Sequence, residues 1–279
     1  MDQKTQNPLA KHFRQPALYY KLPSNGRYWP DGSVDIPLTG EIPVYPMTNS
    51  DEITLKTPDA LMNGTGIVNV IQSCCPHIVD AWKMPSIDVD ALLIAIRIAS
   101  YGNKMTVTGV CPSCKEEHDY DIDLTNVIGQ VQCPNFDIPV EYEGLKIKLR
   151  PQNYFNITQN SITQFEEQKI SQALDDPTIS NDVRNARLKE SMKKLLDLNE
   201  RILIESIEYI ETEDGTKVVE TDYIRDFFRH ASGRVTKDIE SRLAEIAKEG
   251  ALPSSTLQCS DCKASYEVPI EFDYSRFFA

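Results

Sequence analysis

Two short motifs, Cys111-Pro-Ser-Cys114 and Cys259-Ser-Asp-Cys262, constrain the fold of this chain more than any other feature. Each follows a β-like run, at 106–110 or 256–258, and leads into another, at 118–122 or 266–270. A two-residue gap lets one tight turn aim two thiolates at one ion, and two such turns complete a tetrahedral four-sulfur zinc site. The matched architecture of the halves predicts a zinc ribbon with Cys111, Cys114, Cys259 and Cys262 as ligands. Four protein ligands leave no open position for water, so the Zn2+ is expected to be structural. The halves are 144 residues apart, far beyond the short spacer usual in a ribbon. Pinning so long a loop costs roughly 4–5 kcal/mol in chain entropy. Structural zinc sites supply roughly 10–16 kcal/mol, so the separation does not exclude a shared ion.

Chance pairing and redox chemistry are the competing explanations of the cysteines. A thioredoxin-like Cys-x-x-Cys opens a helix after a strand, whereas each motif here leads into alternating polar and apolar residues. Three cysteines remain. Cys74 and Cys75 are adjacent, so their side chains diverge on a helix or a strand and cannot chelate one ion together; both are expected to be buried thiols at a helix end. Cys133 precedes Pro134 and is read as a core or surface thiol. His118 could replace a cysteine ligand, but four are already present, and His12, His77 and His230 have no spaced partners.

Seven cysteines without a secretory signal fit metal or free thiols better than a disulfide framework. The first fifteen residues are polar and contain no apolar core of a leader. The most apolar stretch, 91–99, is interrupted by Arg97. Its helix would reach only about 21 Å, short of the roughly 30 Å hydrocarbon layer. These features predict a cytosolic chain without membrane association. The 279 residues carry 29 Lys+Arg against 42 Asp+Glu, a net charge of −13. Charge of that sign repels phosphate backbones, so nucleic acid is not an expected partner.

Turn signals at Asn25-Gly26 and Asp31-Gly32 separate short strands expected near 17–22 and 42–47. Helical patterning follows from 49 to 101, broken by Pro58 and by Gly64 and Gly66. Acids at Asp51, Glu52, Asp88 and Asp90 read as favourable charges at helix starts. The helix over 88–101 is apolar nearly all round and is expected in the middle of a core. Strands follow at 105–110 and 118–123, with a hairpin at 140–142 and 146–149. Residues 151–250 are mostly helical, with Leu188, Met192, Leu195, Leu196, Ile202 and Leu203 at three- and four-residue spacing and a gap at Asn199. A hairpin at 207–211 and 217–219, helices at 222–230 and 236–248, and strands at 256–258 and 266–272 complete the pattern. The expected fold class is α+β. Residues 1–150 with 251–279 form a β-containing body that carries the ribbon, and 151–250 form a helical insertion.

No enzyme motif survives its structural requirements. Asp119, Asp121 and Asp123 fail as a calcium loop because Leu124 and Gln130 stand where Gly and Glu are needed. Gly64-Thr-Gly66 lacks the strand and third glycine of a dinucleotide fingerprint. There is no P-loop, G-x-S-x-G or H-E-x-x-H, and neither a nucleophile nor a small-molecule substrate is implied.

Several stretches are similar to the T4-type bacteriophage baseplate hub proteins, also described as baseplate hub assembly chaperones. They are Gln15-Pro-Ala-Leu-Tyr-Tyr-Lys-Leu-Pro-Ser-Asn-Gly-Arg-Tyr-Trp-Pro30, Ile42-Pro-Val-Tyr-Pro-Met-Thr48, and the segments 51–64, 84–102 and 268–278. The resemblance covers the first hundred residues and the end well, and the middle weakly. It implies a non-enzymatic tail protein that works in baseplate hub assembly or structure through contacts with other baseplate or hub proteins. Its place would be the host cytoplasm during assembly, or the virion. The cysteine pairs are not part of the resemblance. Tyr19, Tyr20, Tyr28 and Trp29 crowd a segment too short to bury them alone, so they either cover the core helix or anchor a partner. The alternatives are a cytosolic zinc-ribbon adaptor or regulatory binding protein and, second, a thiol-redox enzyme.

Overall fold

The computed structural model describes residues 8–174, 180–253 and 255–268. After a single 3-10 turn at Ala10–His12, β1 (Leu18–Tyr20) and β2 (Ile42–Val44) form an antiparallel pair. Four helices follow: α1 (Asn49–Leu55), α2 (Pro58–Met62), α3 (Thr65–Cys74) and α4 (Ser86–Tyr101). Next come the β3–β4 hairpin (Lys104–Val110 and Glu117–Asp123), α5 (Leu124–Ile128), β5 (Val140–Tyr142) and β6 (Leu145–Leu149). Two long helices, α6 (Tyr154–Ala173) and α7 (Asn181–Glu205), precede β7 (Ile207–Glu211) and β8 (Lys217–Val218). The remaining elements are α8 (Thr221–His230), α9 (Gly233–Glu249), β9 (Ser255–Gln258) and β10 (Ser265–Val268). The strand expected to run on to 272, and the stretch of resemblance at 269–278, lie outside the described residues.

Local chemistry sets several of these boundaries. Thr48 caps α1, and Asp51 reaches back to the Thr48 amide in a reciprocal capping box. Arg14 steadies that corner by donating to the Pro46 and Ser73 carbonyls and approaching Asp51. Between β5 and β6, Glu143 and Gly144 both adopt positive φ, the conformation a two-residue hairpin turn requires.

Two apolar cores result. The first surrounds α4, whose Leu92, Leu93, Ile94 and Ile96 are fully buried against β2, α3 and α5. The second joins the sheet β5-β6-β7-β8 to α7, α8 and α9 around Ile147, Leu149, Ile207 and Ile239. Because β6 pairs with β7 through Ile147↔Ile210 and Leu149↔Ile207, the sheet runs across residue 150, where the sequence had suggested a division between body and insertion. The cores are stitched where α6 begins: Tyr154 N donates to Met84 O at 2.7 Å and Ser86 N to Gln152 O at 2.8 Å. Helices α6 and α7 form an antiparallel hairpin, with Asn160 facing Arg201, Glu167 facing Lys194 and the Leu174 carbonyl facing Arg184. No helix of the described residues is long and apolar enough to cross a membrane.

Candidate metal centre

The β3–β4 and β9–β10 hairpins meet at their cysteine turns. Cys111 Sγ lies 3.6 Å from Cys262 Sγ, Cys114 Sγ lies 3.6 Å from Cys259 Sγ, and all four sulfurs fall within 4.8 Å of one another. Four sulfurs each about 2.3 Å from one centre stand about 3.8 Å apart in a tetrahedron. A disulfide would hold a pair at about 2.05 Å. All four cysteines are free. Cys111 and Cys259 are buried, Cys114 is partly covered and Cys262 is exposed. The set has the spacing and donor chemistry to hold a metal ion.

Each turn is built the same way. Cys111 N donates to Glu116 O and Lys115 N to Cys111 O, both at 2.9 Å. Cys259 N donates to Ala264 O at 2.9 Å and Lys263 N to Cys259 O at 3.1 Å. The lysine after each second cysteine takes the left-handed conformation, at φ 66° for Lys115 and φ 61° for Lys263. This closes the turn so that both thiols point to the same side. The repeated Cys-x-x-Cys-Lys carries that signal in the sequence, although lysine is not a residue usually associated with positive φ.

The local field makes a thiolate accessible. The Cys114 amide, bonded to the Cys111 sulfur, leads a set of donors that holds the Cys111 thiol below its ordinary range. At Cys114 the Glu116 amide acts in the same sense, but burial and the neighbouring sulfurs outweigh it and the thiol is raised. The Ala264 amide likewise fails to offset burial and the sulfurs at Cys262, which is also raised. Four crowded sulfurs cannot all ionise without a compensating cation, and a divalent metal supplies that compensation.

Side chains outside the cysteines also join the hairpins. His118 on β4 reaches the second turn, with Nδ1 3.1 Å from Ser260 Oγ and Nε2 3.4 Å from Asp261 Oδ2. Tyr266 Oη on β10 lies 3.1 Å from Tyr120 Oη and 3.5 Å from the Gly109 carbonyl oxygen. A Cβ at Gly109 would stand 3.2 Å from both Tyr266 Oη and Val268 Cγ2, so a hydrogen there keeps the hairpins in close contact. His118 thus lies beside the sulfur cluster as a clasp, a role its sequence position alone does not reveal.

The other singled-out residues lie elsewhere. Cys74 ends α3 and, with Cys75, is fully buried; burial raises both thiols, Cys74 to about 12. Cys133 is partly covered. Asp119 and Asp121 sit on the exposed face of β4 and accept from Thr108 and Thr106. Of the aromatic group, Tyr19 is 63% exposed, Tyr20 is half-buried against the first core, and Tyr28 lies 5.4 Å from the Phe136 ring. Trp29 is buried, and its Nε1 donates to Asp88 at 2.7 Å. Asp88 does lie in the first turn of α4, as its position suggests, but its carboxyl faces inward. It is fully buried, and it also accepts from Ser24 N at 2.9 Å and Ser24 Oγ at 2.5 Å, which draws the Leu22–Trp29 segment over α4.

A protein-family model described as T4 bacteriophage base plate protein matches residues 19–279 of the chain. Comparison with curated proteins gives no match. Comparison with solved structures gives none either.

Proposed function

Because the chain belongs to the T4 bacteriophage base plate protein family, we propose that it acts in assembly or structure of the baseplate hub, through contacts with other baseplate or hub proteins and without catalysis. The observation that carries the physical part of this reading is the convergence of Cys111, Cys114, Cys259 and Cys262. In this reading the ion is Zn2+ and the two turns form a split zinc ribbon. Zinc accepts four thiolates in a tetrahedron, and a closed set of four leaves no coordination position for a substrate. The metal therefore serves as a fastener. Cys111 and Cys114 hold it from the β3–β4 hairpin, Cys259 and Cys262 hold it from β9–β10, and His118 and Tyr266 align the hairpins around it. Chelation of one ion by four sulfurs outweighs the entropic cost of closing a loop of 144 residues. Tyr19, exposed on β1, and Tyr28, at the edge of the second core, offer aromatic contact to a neighbouring protein.

The test is direct. Purified protein contains about one equivalent of zinc, the stoichiometry of one closed four-ligand site. Changing Cys259 and Cys262 to Ser removes that metal and lowers the melting temperature. Phage lacking the gene make no complete baseplates, as seen by electron microscopy. Unchanged zinc and melting would defeat the shared site. Normal baseplates in the deletion would defeat the assembly role.

A further inference from the structure

Helix α7 carries two seams with the alternating three- and four-residue spacing of a coiled coil. Helix α6 packs along one of them, leaving Leu195 at its edge 37% exposed, and the other has no such neighbour among the described residues over its upper half. Leu188, Ser191, Leu195, Leu198 and Ile202 lie on one side, where Ser191 and Leu198 are buried and Arg201 and Lys194 reach across to α6. The second seam is Lys189, Met192, Leu196, Asn199 and Leu203. Its C-terminal end is occupied, since Leu203 is buried in the second core. Its upper part is open, with Met192 65% and Leu196 67% exposed. Between the two parts lies a groove of about 430 Å³ whose lining includes Leu196, Glu200 and Leu203 of α7, Phe228 and Arg229 of α8, and Glu240 of α9. Its floor is apolar and its acids lie away from the Lys189 end. The open seam therefore continues an interface that already exists within the molecule.

Charge indicates what covers it. From Asn181 to Lys194, α7 carries five basic side chains against two acids, on a chain whose net charge is −13. Beyond Lys194 the balance reverses, with Asp197, Glu200 and Glu205 against Arg201, so the basic surface is confined to the upper part of the seam. Arg187 and Lys194 are engaged with Glu190, and Arg184 with the Leu174 carbonyl. Lys189 and Lys193, one turn apart and flanking Met192, have no ion pair among the described residues. Two like charges at that spacing disfavour the helix slightly unless an anion faces them. The seam from Lys189 to Leu203 spans about 21 Å, or four helical turns.

We propose that the open seam of α7 is a docking site for an amphipathic helix of a partner protein, about four turns long, with an apolar stripe over Met192, Leu196 and the Phe228 groove and with acidic residues against Lys189 and Lys193. The proposal rests on the reading of this chain as one that works through protein contacts, and it names the surface and the chemistry it recognises.

The probe is a synthetic helical peptide with a leucine stripe flanked by glutamates, compared with the same peptide carrying lysines in their place. The glutamate peptide binds full-length protein and protects amides of α7 and α8 from hydrogen exchange, and binding weakens as salt rises. Leu196→Asp, at an exposed position that leaves the fold intact, weakens it about tenfold. Lys189→Glu combined with Lys193→Glu reverses the preference between the two peptides. Failure of both peptides to bind, equal binding of the two, or indifference to these variants would overturn the proposal. So would sedimentation showing that the wild type self-associates while Leu196→Asp is monomeric, because the occupant would then be a second copy. None of these outcomes depends on whether deletion of the gene blocks the baseplate, so the two readings fail separately.

Discussion

At the scale of single residues, Asp88 carries more of the fold than its neighbours suggest. Its carboxyl is buried on α4 and accepts three hydrogen bonds from Ser24 and Trp29. Removing it leaves two backbone or side-chain N–H donors without partners in an apolar interior. Asp88→Ala should therefore lower the unfolding free energy by about 3 kcal/mol, measured by urea denaturation. Burial, working against the bonds from Ser24 and Trp29, holds the carboxyl above its ordinary 3.8. The folded chain thus binds this proton more tightly than the unfolded chain. That contribution to stability is complete below about 4 and is lost as pH rises through the raised folded value. Asp88→Asn should flatten this part of the stability–pH curve. The acid at a helix start is legible in the sequence; the return of residues 22–29 across α4, which buries it, is not, because it depends on contacts some sixty positions apart. The positive φ of Lys115 and Lys263 is a different case: its trace, a repeated lysine after each Cys-x-x-Cys, is present in the sequence but has no propensity to announce it.

Among elements, hairpins and long helices are the most legible, because alternation and three/four spacing are local patterns. The expected strands at 207–211 and the helix over 88–101 match β7 and α4 within a few residues. What local pattern misses is which element meets which. The apolar positions of α7 read as a single stripe from Leu188 to Leu203, yet they divide into a seam beside α6, buried at Ser191 and Leu198, and a second that leads to α8. Likewise the β5–β6 hairpin, grouped in sequence with the residues before it, takes β7 as its partner. The two cysteine hairpins show how closely elements can approach when one position lacks a side chain. Gly109→Val places methyl groups where Tyr266 Oη and Val268 already sit. The β9–β10 hairpin should then dock less tightly, and the zinc proposed to sit between the turns should be withdrawn by a chelator faster than from wild type. An unchanged release rate would show that this contact does not hold the hairpins together.

Over the whole molecule, the cysteine motifs give the longest-range information the sequence contains, linking Cys111 to Cys262 and Cys114 to Cys259. They do not reveal the two cores, which depend on how α4 and the four-stranded sheet divide the apolar residues between them. This division predicts the response to metal removal. The sulfurs lie on hairpins whose exposed residues contribute little to either core, apart from Ile122 and its neighbours Met105 and Val107. Removal of the proposed zinc by a chelator should therefore lower amide protection across residues 104–123 and 255–268, while the centre of α4 stays protected against hydrogen exchange. Uniform loss of protection would mean that the metal holds the entire fold.

The order of the two turns along the chain has a consequence for biosynthesis. Translation at about 5–20 residues per second places the second turn roughly 7–30 s behind the first. On the proposed zinc-bound reading, Cys111 and Cys114 stand for that interval as half of a ligand set, open to oxidation or to capture of another ion. On the same reading, the arrival of Cys259 and Cys262 ends that exposure, so the four-sulfur set closes only near the end of synthesis.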